Sequence, residues 1–231
     1  MPPLIQNSMW AHNWTPGMRT PVLTIQTNPL AGAGTLWWNA ATLSAWWDRG
    51  TLVNATLPIA TVSWYDGDDV TGSIGYVCKA DSVTISAANG GLVGVTMVFM
   101  AYGTTTPAAA PTFQTGAPHA WPLATVATTT GWSSFNLAFH NNCLVSPQAG
   151  NTIWPVQIDE GPPGGTFDEM IVPGGTAPSS PGTEKVTIAG VNFNLSLLRT
   201  EAQLTPGWSP LVRRHSFMLF AGASASGFGI S

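Results

Sequence analysis

The stretch SSFNLAFHNNCLVSP, Ser133 to Pro147, decides how this chain is read. Its first half alternates with a period of two: Phe135, Leu137 and Phe139 fall on one side, Asn136, Ala138 and His140 on the other, as in a β-strand with one buried face. Asn141 and Asn142 then break the pattern as a polar turn, and Leu144 and Pro147 follow. A related phrase, GVNFNLSLLRTEAQLTP, runs from Gly190 to Pro206, with Phe193-Asn194-Leu195 matching Phe135-Asn136-Leu137. A looser third copy is SVTISAANGGLVGVTMVFMA, with Val83 and Ile85 in the apolar places. Each copy reads as a strand, a polar corner and a return, so the repeated unit is one of β structure.

Working outward, the fold class is all-β: an antiparallel β-sandwich or barrel with one short α-helix and long loops. Strands are expected at TVSWY, GSIGYVC, DSVTISA, LVGVTMVFMAY, WSSFNLAF, TIWPVQID, KVTIAGVNFNLSLL and RRHSFMLFAG. The helix is NAATLSAWWDRG, where Asn39 is an N-cap, Leu43, Trp46 and Trp47 form one face, and Gly50 ends the helix. Residues 1–30 are read as an N-terminal arm lying on a neighbour. Residues 31–231 form a single domain, with duplicated units near 79–102, 132–160 and 186–222. A Thr/Ala/Pro-rich link covers Thr104 to Pro118. The Gly/Pro-rich stretch Gly161–Pro181, which contains FDEMIV, is expected to project outward and touch partners. Both faces of Val93–Tyr102 are apolar: Val95, Met97 and Phe99 on one, Val98 and Met100 on the other. Such a strand is covered on two sides, by the other layer of a sandwich or by a neighbouring subunit.

Composition points the same way. Only 8% of the 231 residues are charged, and there are 11 tryptophans, against about a quarter charged in an average domain. A surface poor in Lys and Glu and rich in aromatics is that of a protein covered by other molecules; an all-β extracellular protein with Thr/Ser/Asn surfaces is the alternative. The net charge of −4 argues against binding nucleic acid through phosphate neutralisation. Arg213–Arg214 is read as a solvated strand edge or turn, and DGDD, Asp66 to Asp69, as a tight turn rather than a calcium loop. MPPLIQNSMW lacks the basic and apolar regions of a secretory signal, and the longest apolar run is too short for a membrane-spanning helix, so no membrane association is expected. Cys78 and Cys143 fit buried free thiols better than a disulfide, though a pairing stays open.

No constellation for chemistry emerges. His12, His119, His140 and His215 sit at no metal-ligand spacing, and no nucleophile elbow, zinc motif or phosphate loop is present. Asp159–Glu160 and Asp168–Glu169 are pairs of the kind a glycosidase uses, but both flank the Gly/Pro stretch, where acids are expected to be solvated. Catalytic, cofactor and metal residues are therefore not nominated, and no cofactor is expected. The candidates are subunit contacts: Trp37, Trp38, Val98, Met100, Trp154, Phe167, Met170 and Trp208. A Trp-rich carbohydrate-binding sandwich, using Trp154 or Trp208 as a sugar platform, is the alternative from a different class.

FNLAFHNNCLVSP, FNLSLLRTEAQLTPGWSP and ADSVTISAANGGLVGVTMVFMAYG resemble the strand, Asn corner, Leu-x-Pro and strand pattern of tail tube proteins of long-tailed bacteriophages. The resemblance covers mainly Lys79–Tyr102 and Trp132–Gly222. It implies a β-sandwich or barrel with a helix packed at one side and no enzymatic residues. It also implies homo-oligomeric rings, hexameric or trimeric, stacked around a lumen that passes DNA, in a virion assembled in the host cytoplasm with other tail proteins. Distal tail, terminator and decoration proteins share similar strands and remain alternatives within the virion.

Overall fold

The alternation at Ser133 to His140 belongs to a strand, β6 (Thr130–His140), which buries Phe135, Leu137 and Phe139 while the residues between them stay half-buried. The computed structural model describes residues 21–30, 38–47, 57–66, 69–107, 116–127, 129–146, 154–155, 157–176, 182–205, 212–219 and 228–231. Before β6 come β1 (Val22–Thr27), the helix α1 (Ala40–Trp47), β2 (Ala60–Asp66), β3 (Asp69–Ala88), β4 (Gly94–Thr105), a 3-10 turn at Trp121–Leu123 and β5 (Thr125–Val126). After it come β7 (Cys143–Ser146), β8 (Gln157–Glu160), β9 (Gly164–Thr176), β10 (Gly182–Ile188), β11 (Val191–Thr205), β12 (Val212–Leu219) and β13 (Phe228–Ile230).

Every strand pairing is antiparallel. The main sheet runs β1-β4-β3-β6-β9-β12-β11-β10-β5, with β13 added to β11 and β2 to β3, while β7 and β8 form a separate hairpin. The end strands β1 and β5 do not pair, so the sheet is open rather than a closed barrel. It curls until its two halves face each other as the layers of a sandwich. Phe139 of β6 stacks on Phe228 of β13 with centroids 4.2 Å apart, and Phe228 meets Phe193 of β11 at 6.0 Å. These rings join both halves in one core with Ile85, Met97, Phe99, Leu137, Phe167 and Val186.

The helix forms where the sequence writes it. Asn39 Oδ1 accepts from the Thr42 N–H at 2.8 Å, satisfying a donor that a helix start leaves over, and the Asn39 carbonyl accepts the first intrahelical bond from the Leu43 N–H at 3.0 Å. Eight residues do not hold a helix in water by themselves. Packing does so here: Leu43 and Trp47 are buried, and Trp46 and Trp47 lie 5.7 and 5.6 Å from Phe99. Just before the helix, Trp38 packs on Phe193 of the opposite half and donates its indole N–H to the Ile188 carbonyl at 3.0 Å. Trp38 and α1 thus bridge the two layers.

Four expectations change. Residues 22–27 of the supposed arm are a strand of the chain's own sheet, paired along β4; residues 1–20 lie outside the described residues. Over its described residues, 161–176, the Gly161–Pro181 stretch does not project, because β9 occupies Gly164–Thr176 and pairs with β6 and β12 on either side; its alternating Phe167, Glu169 and Ile171 are buried. Arg213 and Arg214 sit in β12, between β9 and β11, so they are at neither an edge nor a turn. The repeat holds in the strands, where Phe135, Leu137, Phe193 and Leu195 all point inward, but not in the corners. Asn141–Asn142 turn the chain out of the main sheet into β7, with Asn142 at φ 51°. After FNLSLL, by contrast, β11 runs on to Thr205 through a bulge near Arg199.

Candidate functional site

Self-association requires surface that a strand or side chain of the same subunit does not already cover. β1 has it. Its register with β4 pairs Val22 with Met100 and Thr27 with Val95, and the Ala101 N–H donates to the Pro21 carbonyl at 3.0 Å. In an antiparallel ladder bonded pairs alternate with unbonded ones, so Leu23, Ile25 and Thr27 bond β4, while the N–H and C=O of Val22, Thr24 and Gln26 point away from it. Among the described residues no strand takes up that outer edge. The side chains of Val22, Thr24 and Gln26 are exposed, Val22 by 57%. VLTIQT carries no charge and no proline, the usual devices that keep an edge from pairing.

The outward face of β4 is different. Met100 and Tyr102 are half-buried by the chain itself, packing on a small second core of Leu57, Cys143 and Ile158 contributed by the β7–β8 hairpin and the segment before β2. An ion pair fastens this cover: Lys79 Nζ on β3 meets Glu160 Oε1 on β8, which also accepts from the Leu57 N–H at 3.1 Å. Cys143 N–H donates to Asp81 Oδ1 at 2.8 Å, and Asn141 Nδ2 donates to the Ala80 carbonyl at 3.1 Å. Burial, followed by the nearby Cys78 and Glu160 charges, holds the Tyr102 phenol above its ordinary range. Burial also pushes the Cys78 thiol up to about 11, against a backbone hydrogen bond at Val62 that lowers it. Such a thiol is not nucleophilic at neutral pH. Both cysteines are buried thiols that are not joined in a disulfide.

The sequence-nominated contacts therefore scatter. Trp38 and Phe167 are buried in the core and offer no face to a neighbour. Met100 is covered from within. Trp154 is half-buried and packs on the main core. Val98 is half-buried in a row with Thr24 and Ser82, and Met170 is 36% exposed on β9. Trp37 and Trp208 lie outside the described residues. Of the described tryptophans only Trp64 is largely exposed, at 60%; Trp38, Trp46, Trp47, Trp121, Trp132 and Trp154 are packed in or against the core.

The acids depart from expectation too. Glu160 is in the ion pair, and Asp159 is hydrogen bonded by the Ser146 hydroxyl and by Gln157 Nε2. Glu169 is 1% exposed, with Oε2 accepting from Thr129 Oγ1 at 2.8 Å. Neither pair is simply solvated, because each follows the alternation of a strand rather than a loop. His140 is exposed, its ring lying over Gly164. His119, 5% exposed, accepts from the Ala189 N–H through Nε2 at 3.3 Å. Among the described residues no group of three or more His, Cys, Asp or Glu is arranged to hold a metal. A cleft of about 230 Å³ beside β1, α1 and β2 is walled by Ile25, Trp46, Val62, Met97 and Phe99 together with the hydroxyl residues Thr27, Thr61 and Ser63, and no carboxylate, imidazole, amine or thiol lines it. No described helix is long and apolar enough to cross a membrane.

Neither the protein-family models nor the curated proteins contain a match to this chain.

Proposed function

We propose that this protein is a self-associating structural subunit of a virion, of the tail-tube kind, which works by assembly rather than by catalysis. The observation that carries the reading is the β1 edge: three outward N–H and C=O pairs on an uncharged strand whose Val22, Thr24 and Gln26 side chains are exposed. Backbone groups in that position pair with a further strand. In a homo-oligomer the strand comes from another copy, and a head-to-tail contact of this kind closes a ring when its rotation closes. The sequence resemblance of FNLAFHNNCLVSP and FNLSLLRTEAQLTPGWSP, whose strands are kept while only the first turns at its corner, supplies the virion context. Scarce charge suits a lumen through which DNA slides without being held. On this reading rings of six or three copies stack, other tail proteins bind the ends, and assembly takes place in the host cytoplasm. Negative-stain microscopy of the concentrated protein is expected to show rings or tubes, and Thr24→Pro, which removes an outward N–H without touching the β4 ladder, is expected to leave only folded monomers. Rings formed equally well by Thr24→Pro would remove β1 from the interface.

A further inference from the structure

A contact between the β1 edges of two copies would join the same patch on both sides and end as a two-fold pair. A ring needs a second, different edge on every copy. β2 (Ala60–Asp66) has one. It pairs with β3 on one side, and among the described residues no strand takes up the other. The Val62 backbone donates a hydrogen bond to the Cys78 sulfur of β3, so its N–H points toward β3. By the alternation of an antiparallel ladder, the N–H and C=O of Thr61 and Ser63 point away from β3.

The space along that side is open. Thr61, Val62 and Ser63 all line the cleft of about 230 Å³. Successive side chains of a strand point to opposite faces, so a cleft that touches three in a row runs along the edge of β2 rather than over one face. Thr61 is exposed, and Trp64 on the same strand is 60% exposed. From Ala60 to Tyr65 the strand has no charge and no proline, the devices that keep an edge from pairing.

β1 matches these features. It has six residues to the seven of β2, no charge, and one large apolar side chain in the open, Val22. The other unpaired sides among the described strands suit it less. β10 meets β5 only at Val186 and Thr187, and the rest of the strand carries Glu184 and Lys185. β8 ends in Asp159 and Glu160, β7 and β13 offer four and three residues, and β5 has two.

We propose that β1 of one copy pairs with β2 of the next, so that the sheet continues from subunit to subunit and each copy gives one edge and receives the other. The inference rests on the self-association proposed above and names the surface that β1 meets. Val22 and Trp64 then border the junction, where apolar cross-strand neighbours stabilise a sheet.

Proline at an outward N–H blocks one edge at a time: Thr24→Pro closes β1, and Ser63→Pro closes β2. Sedimentation velocity of each full-chain variant alone, and of their equimolar mixture, is the test. Each alone is expected to stay monomeric. In the mixture the open β2 of Thr24→Pro meets the open β1 of Ser63→Pro, and a dimer is expected that grows no further. Ser63→Lys, which puts a charge on the edge, is expected to behave as Ser63→Pro does, with the far-ultraviolet circular dichroism of the wild type. Assembly of Ser63→Pro and Ser63→Lys as in the wild type would overturn the β2 assignment and leave β1 as an interface. A mixture of folded variants that holds only monomers would overturn it as well. A wild type that is itself monomeric would overturn the self-association and this inference with it.

Discussion

β4 and β1 lie side by side in one sheet, and the outward side of each has a different fate. On β4 the chain covers Met100 and Tyr102 with its own β7–β8 hairpin and fastens the cover with Lys79 and Glu160. On β1 the described chain stops short, leaving Val22, Thr24 and Gln26 with their outward backbone groups. An apolar strand face is therefore not by itself a sign of a neighbour. Among the described strands the uncharged, unpaired edge is that of β1, on which the proposed self-association rests, whereas the outward residues Met100 and Tyr102 of β4 pack on a second small core of the same chain.

The contrast is open to experiment. Its largest expected consequence is the one already given for Thr24→Pro, and Thr24→Lys extends it: a charge on the exposed edge is expected to abolish assembly, read by sedimentation, while the thermal unfolding of the monomer is unchanged. Lys79→Met acts on the other region. Glu160 would be left buried beside the Leu57 amide without its cation, and loss of one partner from such a pair costs about 3 kcal/mol, measured by urea unfolding. Ile158→Ala hollows the same small core, since Ile158 is 1% exposed. A loss of about 2–3 kcal/mol is expected there, without an effect on which surface self-associates. If either cover variant destroyed rings while leaving the monomer as stable as before, the β7–β8 side would be the interface instead.

The smallest effect concerns the frame that holds the layers. Ala189 and Gly190, at φ 47° and 84°, turn β10 into β11, a left-handed conformation that alanine adopts at a cost of about 1 kcal/mol. Ala189→Asn is expected to recover about that amount, visible as a higher unfolding midpoint, with assembly as in the wild type.

Much of the fold was legible in local pattern. The period of two at Phe135–His140 and Phe193–Leu197, the Asn39 cap and the Leu43/Trp46/Trp47 face each depend on neighbouring residues, and each appears as read. What failed depended on distant partners. Gly161–Pro181 looked like a loop because of its glycines and prolines, yet TFDEMI alternates, and Glu169 takes an inward place between Phe167 and Ile171. That alternation was the signal available for the buried acid. Trp38 and Phe167 were nominated as contacts by size and hydrophobicity, which core and interface residues share; only the pairing of the two layers assigns them to the core.

The central claim is that β1 joins copies of this protein edge to edge. Comparing wild type with Thr24→Pro by sedimentation velocity at rising concentration, with microscopy of the same samples, tests it most directly. The account expects rings or tubes from the wild type and a folded monomer at every concentration from the variant. A wild type that stays monomeric at the highest concentration would contradict it, as would a variant that assembles identically.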